Sequence, residues 1–184
     1  MDSAWINTFL LDPVVVTAAS AALSIIFIIG ALAKWREGTG FRYAVENYGL
    51  VGAKGSALVA LVMPVAEFIA GVAMLVPALR VLGFVFGIAV LSVATLAVFI
   101  KLLQGQDRIE CGCGIGGQRI SWGLVTRNGI LASLLAVGAH EAGPRSLSLI
   151  DFFSVGACVL ALLAVYASAN QLLANQPLLK EIHS

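Results

Sequence analysis

Five long apolar runs most constrain how this chain can fold. Three of them, residues 14–33, 81–100 and 152–173, contain no charged side chain at all. A helix needs about 20 apolar residues to cross a hydrocarbon core of about 30 Å. The other two runs are residues 55–79 and 120–139. The sequence therefore predicts an all-α integral membrane protein, with a four-helix transmembrane bundle plus a fifth, C-terminal transmembrane helix.

Composition excludes the main soluble alternatives. Hydrophobic residues make up 60% of the 184 residues and charged residues only 11%, against about 45–50% and about 25% in soluble domains. So apolar a chain does not fit a soluble enzyme, a disordered tail or a disulfide-stapled secreted domain. A net charge of +1 provides no basic patch for nucleic acid. We expect one membrane domain over residues 1–184, surrounded by the lipid bilayer, and no removable signal peptide.

Lysine and arginine give a prediction of orientation. With five crossings, nine of the eleven lie on the side that carries the loops after the first and third runs and the C-terminus. The positive-inside rule then predicts that both loops are cytoplasmic and that the N-terminus is outside. In the first of these loops, residues 41–48 are predicted to form a short interfacial helix. In the third run, Gly83 and Gly87 are spaced for close helix packing.

The loop of residues 101–119 carries two cysteines one residue apart, Cys111 and Cys113. Reactive thiols need an accessible sulfur whose thiolate nearby positive charge favours, and Arg108 and Arg119 flank this pair. A ring closed by such close cysteines requires the backbone freedom of the glycine between them. Three hypotheses remain open: a redox pair, half of a zinc site shared with another chain, and two inert thiols. Cys158, in the fifth run, is predicted to be a small packing residue.

Glu67, near the middle of the second run, is the second candidate. An ionisable group at that depth costs at least about 2.5 kcal/mol and normally faces the bundle interior with a partner. It is either a proton-handling or ligand-contacting acid, or an interhelical hydrogen bond that fixes packing. We expect Arg127 and Asn128 to be its partners. A small-solute or proton transporter that uses Glu67 is a further alternative.

Several short motifs occur together in a specific order. They are Lys34, Asn47 and Tyr48, the segment from Met63 and Pro64 through Glu67 to Gly71, Cys111-Gly-Cys113-Gly, and Ile120-Ser-Trp122 followed by Arg127 and Asn128. Over residues 33–136 this order and spacing resembles the family of the methylamine utilisation protein MauE, within the DoxX-like membrane families.

The resemblance implies a multi-pass protein of the bacterial inner membrane with an accessory role in methylamine degradation. Such proteins take part in the processing, transport or maturation of the methylamine dehydrogenase β subunit, a periplasmic protein with many disulfides. They are associated with MauD, a thioredoxin-like protein. By analogy, Cys111 and Cys113 would pass electrons or disulfides to that partner, with Glu67 as a buried acid. Arg127, Asn128, Lys34 and Tyr48 would support them.

The resemblance predicts no resident metal or cofactor, and a quinone enters only through fold-level analogy with enzymes such as vitamin K epoxide reductase. Two alternatives stay open. The protein is either a thiol–disulfide relay or a non-catalytic membrane scaffold that docks the thioredoxin-like partner. A periplasmic client also requires the cysteine loop outside, whereas the positive-inside rule predicts it inside.

Overall fold

The computed structural model describes residues 12–112, 118–139 and 145–182. They form five α-helices: α1 (Pro13–Tyr48), α2 (Ala53–Leu75), α3 (Arg80–Leu103), α4 (Trp122–Gly138) and α5 (Leu149–Ile182). Four segments are long and apolar enough to cross a membrane: Pro13–Tyr48, Ala53–Leu75, Pro77–Leu103 and Leu149–Asn175. The predicted class, an all-α membrane protein, is confirmed.

Helix α4 is the short one, with 17 residues and a length of about 25 Å. At its start, Trp122 meets Phe99 of α3 edge-to-face, with ring centroids 5.7 Å apart. At its end, Gly138 packs against the ring of Phe84, near the start of α3. Helix α4 therefore runs back along α3 from Phe99 to Phe84. That it crosses a membrane remains a prediction.

The two ends of the bundle can be told apart by their contacts. Arg145, just before α5, forms two salt bridges. Its Nη2 lies 3.5 Å from Asp12 Oδ1 at the start of α1 and 3.1 Å from Asp151 Oδ1 of α5. The starts of α1 and α5 therefore lie at one end of the bundle. The opposite end carries the α1–α2 connection and the segment around Cys111, whose described residues 109–112 and 118–120 we call the cysteine turn. There Tyr48 packs near Cys111.

Helix α1 is longer than the first apolar run. Asp12 caps its start, where the Val14 N–H donates to the carboxylate at 2.8 Å. The short helix predicted over residues 41–48 is present as the end of α1, which continues through a kink at Gly38, where the backbone leaves helical geometry, to Tyr48. The last ten residues of α1 therefore form an angled extension, which we call the post-kink segment (residues 39–48).

The connection between α2 and α3 also differs from the prediction that Arg80 alone separates them. Helix α2 ends at Leu75, and Pro77–Leu79 form a 3₁₀ turn before α3 begins. Val76 has extended backbone geometry, which the residue before a proline favours, and α2 ends at Leu75. Close packing of Gly83 is confirmed, since a Cβ there would lie 2.6 Å from the backbone nitrogen of Met74.

The interior consists of two apolar clusters. One contains Leu23, Phe27, Ala70, Met74, Phe84, Leu131 and Leu135. The other, at the cysteine end, contains Tyr48, Val98, Cys111, Ile120 and Leu124. Large apolar side chains also cover the outside, and Phe153 of α5 is 81% exposed. An apolar exterior of this kind is suited to lipid rather than to water.

Candidate functional site

A cavity of about 250 Å³ lies between the helices toward the cysteine end of the bundle. Six of the seven residues singled out from the sequence line it, namely Lys34, Tyr48, Glu67, Cys111, Arg127 and Asn128. Most of the remaining wall is aliphatic or aromatic. The seventh residue, Cys113, lies outside the described residues. The fold thus brings side chains from α1, α2, α4 and the cysteine turn around one apolar space.

Glu67 forms an ion pair with Lys34 in the wall of this cavity. The Lys34 Nζ donates to Glu67 Oε2 at 2.8 Å and to Oε1 at 3.0 Å. The two side chains are only 10% and 13% exposed. A Cβ added at Gly30 would lie 3.7 Å from Glu67 Oε2 and 3.8 Å from Lys34 Nζ. Gly30 therefore leaves open space beside the pair.

The prediction that Arg127 and Asn128 are the partners of Glu67 is wrong. Helix α2 packs mainly against α1 and α3, and the Ser24 hydroxyl of α1 donates to the Gly71 carbonyl of α2 at 2.6 Å. Lys34 and Glu67 therefore meet across the interface of α1 and α2. The available signal was that a buried acid normally faces a charged partner, and that Lys34 directly follows the first apolar run.

Arg127 and Asn128 instead form a polar network among α3, α4 and α5. The Arg127 guanidinium donates from Nε and Nη2 to Asn128 Oδ1 at 3.1 and 2.8 Å, and from Nη1 to Asn170 Oδ1. It also lies over the Tyr166 ring, 5.8 Å from its centroid. Asn128 Nδ2 donates to the Thr95 hydroxyl at 3.0 Å. Sequence analysis missed Thr95, Tyr166 and Asn170, because hydropathy does not show which face of a helix points inward.

The charges around the cavity do not balance. Lys34 is paired with Glu67, but no carboxylate within residues 12–112, 118–139 and 145–182 forms a salt bridge with Arg127. Arg127 is a hydrogen-bond donor only, and its described partners are neutral amides and an aromatic ring. The wall therefore carries one net positive charge.

The cysteine turn begins as a short hairpin. Glu110 and Arg119 form an antiparallel bridge, and the Cys111 N–H donates to the Gln118 carbonyl at 2.7 Å. Cys111 is 5% exposed and disulfide-bonded. The Tyr48 hydroxyl donates to the Cys111 carbonyl at 3.4 Å. The pairing of Cys111 with Cys113 stays a prediction, because Cys113 lies outside the described residues.

Gly112 explains why the turn needs glycine after Cys111. Its φ of +65° is in the left-handed region that favours glycine. A Cβ there would also lie 3.0 Å from Ala44 Cβ and 3.1 Å from Phe41 Cδ2. The turn therefore docks closely on the post-kink segment of α1. The centroid of the Phe41 ring also lies 5.7 Å from Lys34 Nζ. The same ring therefore lies between the ion pair and the cysteine turn.

Cys158 is not a packing residue in this fold. It is a free cysteine on the exposed face of α5, where a small side chain fills no interface between the described helices. The described ranges hold no group of three or more His, Cys, Asp or Glu side chains arranged to bind a metal.

Comparison with known proteins identifies the family. The family profile for the Methylamine utilisation protein MauE matches residues 12–140. It covers the cysteine turn and the residues that line the cavity, except Tyr166 of α5. The chain belongs to the MauE family. No solved structure matches it significantly.

Individual relatives resemble this chain over most of their length. Methylamine utilization protein MauE of Paracoccus denitrificans is 37% identical over 145 residues, which is 76% of this chain and 78% of the relative. The protein of the same name from Paracoccus versutus is 36% identical over 137 residues, 73% of each chain. That of Methylorubrum extorquens is 32% identical over 173 residues, 89% of this chain and 90% of the relative.

Proposed function

We propose that this protein serves methylamine utilisation by handling disulfides at the membrane during maturation of the methylamine dehydrogenase β subunit. The names of the MauE relatives support the pathway. The observation that carries the chemistry is the position of Cys111, a disulfide-bonded cysteine in the wall of a charged cavity within an apolar helix bundle. A MauD-like thioredoxin-fold protein is the partner that the family resemblance suggests.

The reaction is a thiol–disulfide exchange. A thiolate of the partner attacks a sulfur of the Cys111–Cys113 disulfide, forms a mixed disulfide and releases one cysteine as its thiolate. The second partner thiol then displaces the other cysteine, so the partner leaves with a new disulfide and this protein keeps two thiols. Arg108 and Arg119 are both exposed beside the turn. Their positive charge favours the thiolate forms on which the exchange depends.

The proposal places the cysteine turn on the periplasmic face, where the β subunit matures. Three of the nine basic residues counted toward the opposite orientation are withdrawn into the bundle. Lys34 and Lys101 are buried, and Arg127 lines the cavity. A basic side chain inside the bundle contributes less to the charge at the membrane surface, so the charge bias is weaker than the count of nine to two suggests.

Serine substitutions test the proposal. In cells grown on methylamine, Cys111→Ser and Cys113→Ser should each abolish accumulation of the β subunit and active dehydrogenase, because neither variant can form the disulfide. Cys158→Ser is the matched control and should leave both unchanged, since Cys158 faces outward on α5.

The scaffold alternative makes the opposite prediction. If both serine variants support normal levels of active dehydrogenase, disulfide handling is refuted. The scaffold alternative would then predict sensitivity at the aromatic residues Tyr43 and Tyr48 of the post-kink segment.

A further inference from the structure

We infer that the cavity binds a membrane quinone, which accepts the electrons released when the cysteine pair is reoxidised. This inference rests on the proposed function, because disulfide exchange with the partner leaves two thiols that must be oxidised again. The cavity, its charge and the position of Cys111 point to the same ligand class.

The size and lining of the cavity fit the ring of a lipid-soluble molecule. An apolar cavity of about 150 Å³ accommodates benzene, so about 250 Å³ accommodates a substituted six-membered ring. The wall is largely aliphatic, with residues such as Val59, Met63 and Ala94. Because the bundle exterior is apolar, a hydrophobic tail attached to the ring would extend from the cavity into lipid.

The polar groups favour a quinone over a lipid tail. The Lys34 ammonium and the Arg127 guanidinium can only donate hydrogen bonds, and both border the cavity. A quinone offers two carbonyl oxygens that accept hydrogen bonds and gain negative charge as the ring is reduced. The net positive charge of the wall stabilises that change, whereas a saturated lipid tail offers these donors nothing.

The electron balance closes without a further reactant. Oxidation of the Cys111 and Cys113 thiols to a disulfide releases two electrons and two protons. Quinone takes up the two electrons and the two protons to become quinol, so two thiols plus quinone give one disulfide plus quinol. Glu67 lines the cavity and its carboxylate accepts protons, so it can pass protons to the ring oxygens.

Filling the cavity tests the inference. Gly30→Leu adds a side chain beside Lys34 and Glu67, starting from a Cβ position with ordinary contacts. Gly156→Leu is the matched control, because Gly156 is exposed on α5 and a Cβ there meets nothing within 4 Å. Ubiquinone-1 binding is measured by calorimetry on the purified proteins in detergent, and a photoreactive azidoquinone identifies the labelled peptides. We expect Gly30→Leu to weaken binding at least about tenfold, equivalent to about 1.4 kcal/mol, and Gly156→Leu to bind as wild type.

A smaller substitution at the same position controls for a folding defect in Gly30→Leu. Gly30→Ala should bind ubiquinone-1 nearly as wild type, because its Cβ would lie 3.7 Å from the nearest atom. The inference is overturned if wild type does not bind ubiquinone-1. It is also overturned if Gly30→Leu binds as well as wild type, or if the azidoquinone labels only peptides outside the cavity.

The test separates this inference from the proposed function. Cys111→Ser protein should still bind ubiquinone-1, and reduced wild type, but not Cys111→Ser, should convert it to ubiquinol. If wild type binds no quinone while Cys111→Ser still blocks maturation in cells, the quinone inference fails and disulfide handling stands. If quinone binds but Cys111→Ser matures the β subunit normally, the proposed function fails, and with it the inferred electron transfer.

Discussion

At the scale of single residues, the Lys34–Glu67 pair is a nearly buried ion pair within an apolar bundle. It joins α1 to α2 with both side chains nearly buried. Breaking a buried pair by removing one partner typically costs about 3–5 kcal/mol, since the other charge is left unpaired. Replacing both partners by apolar groups costs little or nothing. The pair thus distinguishes an electrostatic requirement from a simple packing requirement.

Lys34→Met should lower the free energy of unfolding in detergent by about 3–5 kcal/mol, because it leaves the Glu67 carboxylate unpaired in the wall of the cavity. Adding Glu67→Met should recover most of that loss. Arg42→Met, which breaks the exposed pair with Glu46, is the control and should cost no more than about 1 kcal/mol. Denaturant titration of the purified proteins measures all three, and a double variant as unstable as Lys34→Met would contradict the prediction.

At the scale of elements, the cysteine turn depends on the shape of α1. The kink at Gly38 directs the post-kink segment across the end of the bundle, where Phe41, Ala44 and Tyr48 are buried. The turn packs on this segment through Gly112 and through the bond from Tyr48 to Cys111. We therefore expect the post-kink segment to set the position of the disulfide relative to the cavity.

Gly112→Ala tests this docking, with Gly105→Ala as its matched control. Both glycines have positive φ, +65° and +71°, so each alanine incurs a backbone penalty of about 1–2 kcal/mol. Only at Gly112 would the new Cβ also press on Ala44 and Phe41, while at Gly105 it meets nothing within 4 Å. Gly112→Ala should therefore lower the thermal midpoint and β-subunit maturation more than Gly105→Ala. Equal effects of the two variants would show that the close packing is unimportant.

The elements also show what a sequence can and cannot predict here. Apolar run length is enough to place the helices, because a bilayer sets the length that each must have. It does not reveal that the helix predicted over residues 41–48 joins the first span directly through a kink at Gly38, with no loop between them. Nor does it reveal the 3₁₀ turn at Pro77–Leu79, because that turn is as apolar as the helices on either side.

At the scale of the whole molecule, the fold gathers chemistry that is scattered along the sequence. The cysteine turn, a buried acid and their supporting residues were predictable individually, since charged or reactive groups are rare in apolar segments. Their assembly around one cavity was not, because it depends on how each helix is rotated. The same uncertainty made Arg127 and Asn128 appear to be partners of Glu67, whereas they bond Asn170 and Thr95.

The face of the membrane that carries the cysteine turn sets the direction of the proposed electron transfer. With the turn outside, the proposed relay would pass electrons from a periplasmic partner through Cys111 and Cys113 into the plane of the membrane. With the turn inside, the β subunit would lie on the wrong side of the bilayer for direct exchange. The location and redox state of the cysteine pair therefore decide between the relay and its alternatives.

Thiol labelling in a Cys158→Ala background measures the location and the redox state of the cysteine pair in one experiment. Intact cells are treated with a membrane-impermeant maleimide before and after mild reduction, and labelling is detected as a gel shift. We predict labelling of intact cells only after reduction, which is the result for an outward-facing disulfide. Labelling only after lysis, with no need for reductant, would show free cytoplasmic thiols and would contradict the relay.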